Sequence, residues 1–169
     1  MVPFSMPINS AGRLERQPAC AAPVRRLTPL PTVKELTVEA NIQSLDKVID
    51  FVNEELERNT CSSELLSNII LAVEEVFVNI ANYAYTPSSG SVVLSIDAGE
   101  EAVIRFEDTG KPYNPLDHPA PDIHKPLMER DIGGLGIFLV KTLMDKVDYM
   151  RVGNKNVLVM TKRLSKASS

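Results

Sequence analysis

VVLSIDAGEEAVIRFEDTG, residues 92–110, decides the fold. Two apolar runs, residues 92–98 and 102–107, are separated only by Gly99, Glu100 and Glu101. That length suits an antiparallel hairpin, whereas a parallel crossover needs a dozen residues or more. A second pair of runs, residues 147–152 and 157–161, closes in the same way around Gly153, Asn154 and Lys155. Two such pairs predict a mixed, mostly antiparallel sheet and exclude a doubly wound parallel one.

Working outward, Leu36, Val38 and Ala40 alternate with Glu35, Thr37 and Glu39, the pattern of a strand with one buried face. Ser44 reads as an N-cap, and Leu45, Val48, Ile49, Val52 and Leu56 then recur at helical spacing to about residue 58. A longer helix opens at Ser62 or Ser63 and runs to about Tyr85, where Thr86, Pro87, Ser88, Ser89 and Gly90 form a turn. Downstream, Pro112, Pro115, Pro119, Pro121 and Pro126 break residues 109–131. A loop of that size inside a compact domain is usually a lid or a binding loop. Leu135, Ile137, Phe138, Val140, Leu143 and Met144 then make an apolar helix. The order predicts an α+β two-layer sandwich with the helices on one face of the sheet.

The 169 residues bound one domain with a real core, expected over residues 33–169 with a lid at about 109–132. Residues 1–32 carry six prolines without periodicity and read as a flexible tail, with Arg13, Arg16, Arg25 and Arg26 against Glu15 alone. A hydrophobic share of 44%, with 24% charged residues, describes an ordinary globular chain. The net charge of -4 and the absence of a basic stripe argue against direct nucleic-acid binding. Cys20 and Cys61 are too few for a zinc site, and neither pairs with His118 or His124. No apolar run is long enough to span a membrane and no signal segment opens the chain, so a reducing, cytoplasmic setting is expected.

Three groups of residues carry chemistry. On the second helix, Asn68, Glu75, Asn79 and Asn82 lie along a face apart from the apolar stripe, with Glu75 and Asn79 one turn apart. Taken alone, this line is equally a solvated face. At the end of a strand, Asp108-Thr-Gly110 offers a carboxylate that accepts from an exocyclic base amine and a glycine that lets a flat ring approach; taken alone it is also a turn. Third, Gly133-Gly134-Leu135-Gly136 stands where the lid meets a helix, so outward-pointing N–H groups and the helix dipole can meet phosphate oxygens. Taken alone, this cluster is also a hinge. Arg130, just before it, is a cation for a terminal phosphate.

In their order, these three groups resemble the N, G1 and G2 boxes of the gyrase/histidine-kinase-type (GHKL, Bergerat fold) ATPase superfamily, over residues 34–164. Within it, Glu75 to Tyr85, Asp108 to Pro115 and Gly133 to Asp145 are most similar to the anti-sigma-factor serine/threonine kinases. The resemblance implies ATP with Mg²⁺ as ligands. Asn79 would hold the metal, and Asn82 would belong to the same nucleotide site. Asp108 would bind the adenine amine with Gly110 beneath the ring, and Gly133, Gly134, Leu135, Gly136 and Arg130 would surround the phosphates. Glu75 would act as general base toward an incoming serine hydroxyl. It also implies a sigma factor and an anti-sigma-factor antagonist as partners, and a homodimer. A non-catalytic ATP-binding interaction module is the alternative. Tyr83-Ala84 stands where family members often carry His-Gly, and Asp131 sets a negative charge beside Arg130.

Overall fold

Alternating burial along each strand is what the sequence pattern demands, and the computed structural model, which describes residues 33–58, 62–117 and 135–164, realises it in one sheet. Among the described residues the strands are β1 (Lys34–Glu39), β2 (Ser91–Ala98), β3 (Glu101–Asp108), β4 (Lys146–Val152) and β5 (Lys155–Arg163). Their order is β1-β2-β3-β5-β4, with every neighbouring pair antiparallel, so the sheet is wholly antiparallel rather than mixed. The expected tail, both cysteines, both histidines and residues 118–132 of the expected lid lie outside the described residues.

β3 and β4 run in the same direction with β5 between them, so the chain joining them must cross a face of the sheet. Such crossings usually carry a helix. Here α3 (Leu135–Leu143) supplies it, beside α1 (Leu45–Glu57) and α2 (Ser63–Asn79). α1 packs on β1, β2 and α2, while α2 packs on α3.

The register aligns inward-facing side chains in rows across the sheet. One row is Leu36, Leu94, Phe106, Leu158 and Tyr149, apolar except at its last member. The row beside it starts as Val38 and Val92 and turns polar at Asp108, Asn156 and Arg151. Onto the apolar rows the helices lay Val48, Val52, Leu56, Ile69, Val73 and Phe77, all fully buried. Each such side chain contributes roughly 1.5–3 kcal/mol by leaving water. The opposite face carries charge instead: Glu107 pairs with Arg105 at 2.8 Å and with Lys155 at 3.0 Å.

Local chemistry sets the element ends, twice differently from the sequence reading. Ser44 makes no side-chain cap bond to α1. Asn41 instead accepts from the Ser44 N–H at 3.1 Å and opens a short 3-10 turn, Ile42–Ser44, that runs into the helix. At the other helix, Ser62 does cap α2, its hydroxyl accepting from the Leu65 N–H at 3.3 Å. α2 does not continue to Tyr85 as an α-helix, however. It ends at Asn79 and widens into a π turn over Ile80–Ala84. The closing hairpin turns on two residues, Gly153 and Asn154, with Gly153 at φ 60 where a side chain would be strained.

Candidate functional site

The π turn is tied down at its end. Its last carbonyl, Ala84, accepts from the Lys111 N–H at 2.8 Å. The next residue, Tyr85, reaches across to the sheet, donating its hydroxyl to the Ser91 carbonyl at 2.6 Å and accepting from the Thr109 N–H at 2.8 Å. π turns inside helices often mark functional sites, and this one forms a wall of a cleft of about 220 Å³. Val76, Ile80, Ala84, Phe106, Ile137 and Leu158 make the apolar walls, with Asn79, Asp108, Tyr149 and Asn156 among the polar groups. That volume falls below the roughly 300–1,000 Å³ common for small-molecule clefts, which suits a flat ring system with the rest of its ligand outside.

Asp108 is 6% exposed and Asn156 is equally buried. The carboxylate Oδ1 accepts from the Gly110 N–H and from Asn156 Nδ2, each at 2.8 Å. Asn156 also donates to the Lys111 carbonyl at 2.9 Å, and its Oδ1 accepts from Tyr149 at 2.8 Å and Arg151 at 2.7 Å. Gly110 is a glycine for a local reason: an added Cβ would run into the backbone of Ala84. Tyr83 and Tyr113 also line the cleft, and burial raises the Tyr113 phenol above its usual 10.0, with Tyr83 adding to the effect. Tyr113 therefore stays neutral at physiological pH.

The start of the expected lid is a fixed part of this floor. Lys111 is pinned on both sides of its peptide, and Asn114 accepts from the Leu116 N–H at 3.0 Å to cap a 3-10 turn over Pro115–Asp117. Lys141 of α3 then donates to the Leu116 carbonyl at 3.0 Å.

Glu75 and Asn79 meet α3 at the other end. A Cβ on Gly136 would collide with Glu75 Oε2 and lie 3.8 Å from Asn79 Nδ2, so this glycine is what lets the first turn of α3 approach α2. Asn79 also lines the cleft, which makes it common to both ends. The expected residues Glu75, Asn79, Gly136, Asp108 and Gly110 are thus brought to one side of the molecule. Leu135 is half exposed at the start of α3. Asn82 is exposed and does not line the cleft; its carbonyl accepts from Thr86, and Tyr83 and Ala84 form the wall instead. Residues advance less per step in a π turn than in an α-helix, so Asn82 falls short of the face that Asn79 occupies. Arg130, Gly133 and Gly134 lie outside the described residues.

Asn156, Tyr149 and Arg151 are site residues that the sequence reading missed. A signal existed: Asn156 shares strand parity with Leu158 and Met160, so a polar residue stands on an inward-facing position.

The donor set can be tested against the implied ligands. The Asp108 carboxylate above an apolar slot fits a purine bearing an amine. Among the described residues no three His, Cys, Asp or Glu side chains cluster as metal ligands. A single amide, Asn79, fits Mg²⁺ only where phosphates and water complete the shell, which is the usual arrangement for this cation. No helix among the described residues is long and apolar enough to cross a membrane.

Residues 38–162 match the histidine kinase-like ATPase domain family. The chain is 31% identical over 146 residues to the serine-protein kinase RsbW of Halalkalibacterium halodurans, covering 80% of this chain and 86% of that protein. It is 26% identical over 106 residues to the serine/threonine-protein kinase BtrW of Bordetella bronchiseptica, covering 62% of this chain and 75% of that one. In fold it resembles a crystal structure of RsbU and RsbW domains from Mycobacterium tuberculosis, with a TM-score of 0.57 at 15% identity over 81% of this chain and 34% of that one. The chain therefore belongs to the histidine kinase-like ATPase domain family, on its RsbW-type serine kinase branch.

Proposed function

We propose that the chain binds Mg-ATP in the cleft and transfers the γ-phosphate to a serine or threonine of an anti-sigma-factor antagonist, and that it otherwise holds a sigma factor inactive. The observation that carries this is the double membership of Asn79, which lines the ring-sized cleft and also faces Gly136 beside Glu75. A base seated against Asp108 would point its phosphates toward these residues. The names of the two kinase relatives favour transfer over an interaction module without chemistry.

In this reading Asp108 and the apolar walls bind and orient the base. Asn79 offers its amide oxygen to the metal, and bound Mg²⁺ would neutralise charge on the phosphates. Glu75, one helical turn away, accepts the proton of the attacking hydroxyl. The start of α3 turns its N–H groups toward the phosphates, and Gly133, Gly134 and Arg130 would complete that cradle from the lid. The reading places the protein in the cytoplasm, as a homodimer in contact with its two protein partners.

The experiment is a melting curve with and without Mg-ATP. Saturation at about 100 times Kd stabilises by about 2.7 kcal/mol, which shifts a domain of this size by about 5–10 °C. Asp108→Asn and Asn79→Ala should each lose that shift. A wild type unmoved at millimolar Mg-ATP would refute the nucleotide site, and the kinase reading with it.

A further inference from the structure

Asn156 has two N–H groups to give and two lone pairs to offer, and the structure uses all four. Its Nδ2 faces two acceptors, Asp108 Oδ1 at 2.8 Å and the Lys111 carbonyl at 2.9 Å. Its Oδ1 faces the Tyr149 hydroxyl at 2.8 Å and the Arg151 guanidinium at 2.7 Å. Arginine has no acceptor, so a flipped amide would set N–H against N–H at Arg151 and oxygen against oxygen at Asp108. The amide therefore has one orientation. Arg151 is itself held by a second bond, to the Gly110 carbonyl at 3.3 Å.

We propose that Asn156, locked by Tyr149 and Arg151, fixes the direction in which Asp108 presents its free oxygen and thereby sets the purine selectivity of the cleft. This inference rests on the nucleotide-binding reading above. Asp108 Oδ1 is saturated by Asn156 and by the Gly110 N–H, which leaves Oδ2 as the acceptor for a base. Purines differ at carbon 6, where an adenine presents an amine donor and a guanine a carbonyl acceptor. A carboxylate oxygen held in one direction attracts the first and repels the second. One free to turn, or to recruit a bridging water, accommodates either. Selectivity thus depends on how firmly the carboxylate is held. Asp108 would touch the base, whereas Asn156, Tyr149 and Arg151 are positioning residues.

The test uses the full chain and calorimetric titration with ADP, GDP and purine riboside 5′-diphosphate, which lacks the amine. In the Tyr149→Phe/Arg151→Leu variant, ADP affinity should fall about 10-fold, the scale of one or two lost hydrogen bonds. GDP should change less, narrowing the ratio, and the amine-free analogue should stay within about 2-fold. Arg151→Lys, which keeps a donor, should recover most of the loss. Should the double variant fail to fold, Tyr149→Phe alone should weaken ADP about 3-fold while sparing the analogue. Equal weakening of ADP and the analogue, or an unchanged ADP-to-GDP ratio, overturns the proposal and leaves nucleotide binding intact. Wild type that binds no ADP overturns both.

Discussion

Around Asp108, hydrogen bonds saturate one carboxylate oxygen and all four positions of the neighbouring Asn156 amide. Around Glu75 and Asn79, among the described residues, no side-chain hydrogen bond holds either group, and the missing side chain of Gly136 leaves room for α3 to come close. The contrast follows from what each end has to do. Recognising a ring requires a fixed direction, and fixed dipoles cost nothing to reorganise when the ligand arrives. Accepting a proton or sharing a metal requires a group that can take a new partner, so a carboxylate already tied to a neighbour would first have to release it.

The strongest way to break this comparison is Glu75→Ala. Phosphate transfer to the antagonist should fall by about 10² to 10⁴, the usual worth of general acid-base help. ADP affinity should stay within about 3-fold, because Asp108 and Asn156, which face the base, stand on β3 and β5 rather than on α2. Transfer surviving undiminished would remove Glu75 from the chemistry and leave only the base end with a defined role.

Glycine-to-alanine substitutions at the two ends should behave in opposite ways. At Gly110 the new methyl meets backbone: it would lie 2.7 Å from Ala84 Cβ and 2.8 Å from its carbonyl carbon. Backbone held by the Lys111 bond cannot yield cheaply, so Gly110→Ala should cost about 1–3 kcal/mol, with melting lowered by roughly 2–4 °C for each. At Gly136 the obstacle is Glu75 Oε2, the tip of a flexible side chain that can swing away. Alanine also gains up to about 1 kcal/mol of helix propensity. Gly136→Ala should therefore melt no lower than wild type while transferring phosphate about 10-fold more slowly, since Glu75 is displaced. If both variants unfold alike, the ends are not built differently.

The same contrast explains how far the sequence could be read. Strand parity in residues 92–98 and 102–107 is a local property, so the hairpin and the α+β class were legible from neighbours alone. Helical spacing puts Glu75 and Asn79 one turn apart, and Asp108 ends a strand two residues before a glycine. Each of these signals is ambiguous alone, and only their order, through the family resemblance, singles the residues out. The Asp108–Asn156 bond joins residues 48 apart in the chain, and it exists only because β5 lies beside β3 in one register. Nothing short-range encodes that adjacency, which is why the network around the carboxylate went unread. The π turn has the same origin: Lys111 and Thr109, far along the chain, fix the residues that end it. At the first helix the miss is smaller: Ser44 stands at the N-cap of α1 without a side-chain bond, and the cap bond is made three residues earlier, by Asn41 at the 3-10 turn.

Asp145 tests whether stability elsewhere in the sheet is separate from both ends. It sits between α3 and β4, accepting from the Arg163 N–H at 2.8 Å and from Lys162 at 2.9 Å. The backbone bond from Arg163, followed by Lys162, holds its carboxyl below the ordinary value of 3.8. A carboxyl depressed in the folded state contributes stability that is fully present above 3.8 and lost as pH falls through its folded value. The side chain is 51% exposed, so solvent screens the pair, and Asp145→Asn should cost no more than about 0.5 kcal/mol at pH 7. That small loss should vanish on acidification below 3.8 and shrink in high salt, while ADP affinity stays at the wild-type value throughout. A change in ADP affinity with this substitution would mean that the α3–β4 junction reports to the cleft through Arg151 on the same strand, and the two ends would then share a support that their hydrogen bonds do not reveal.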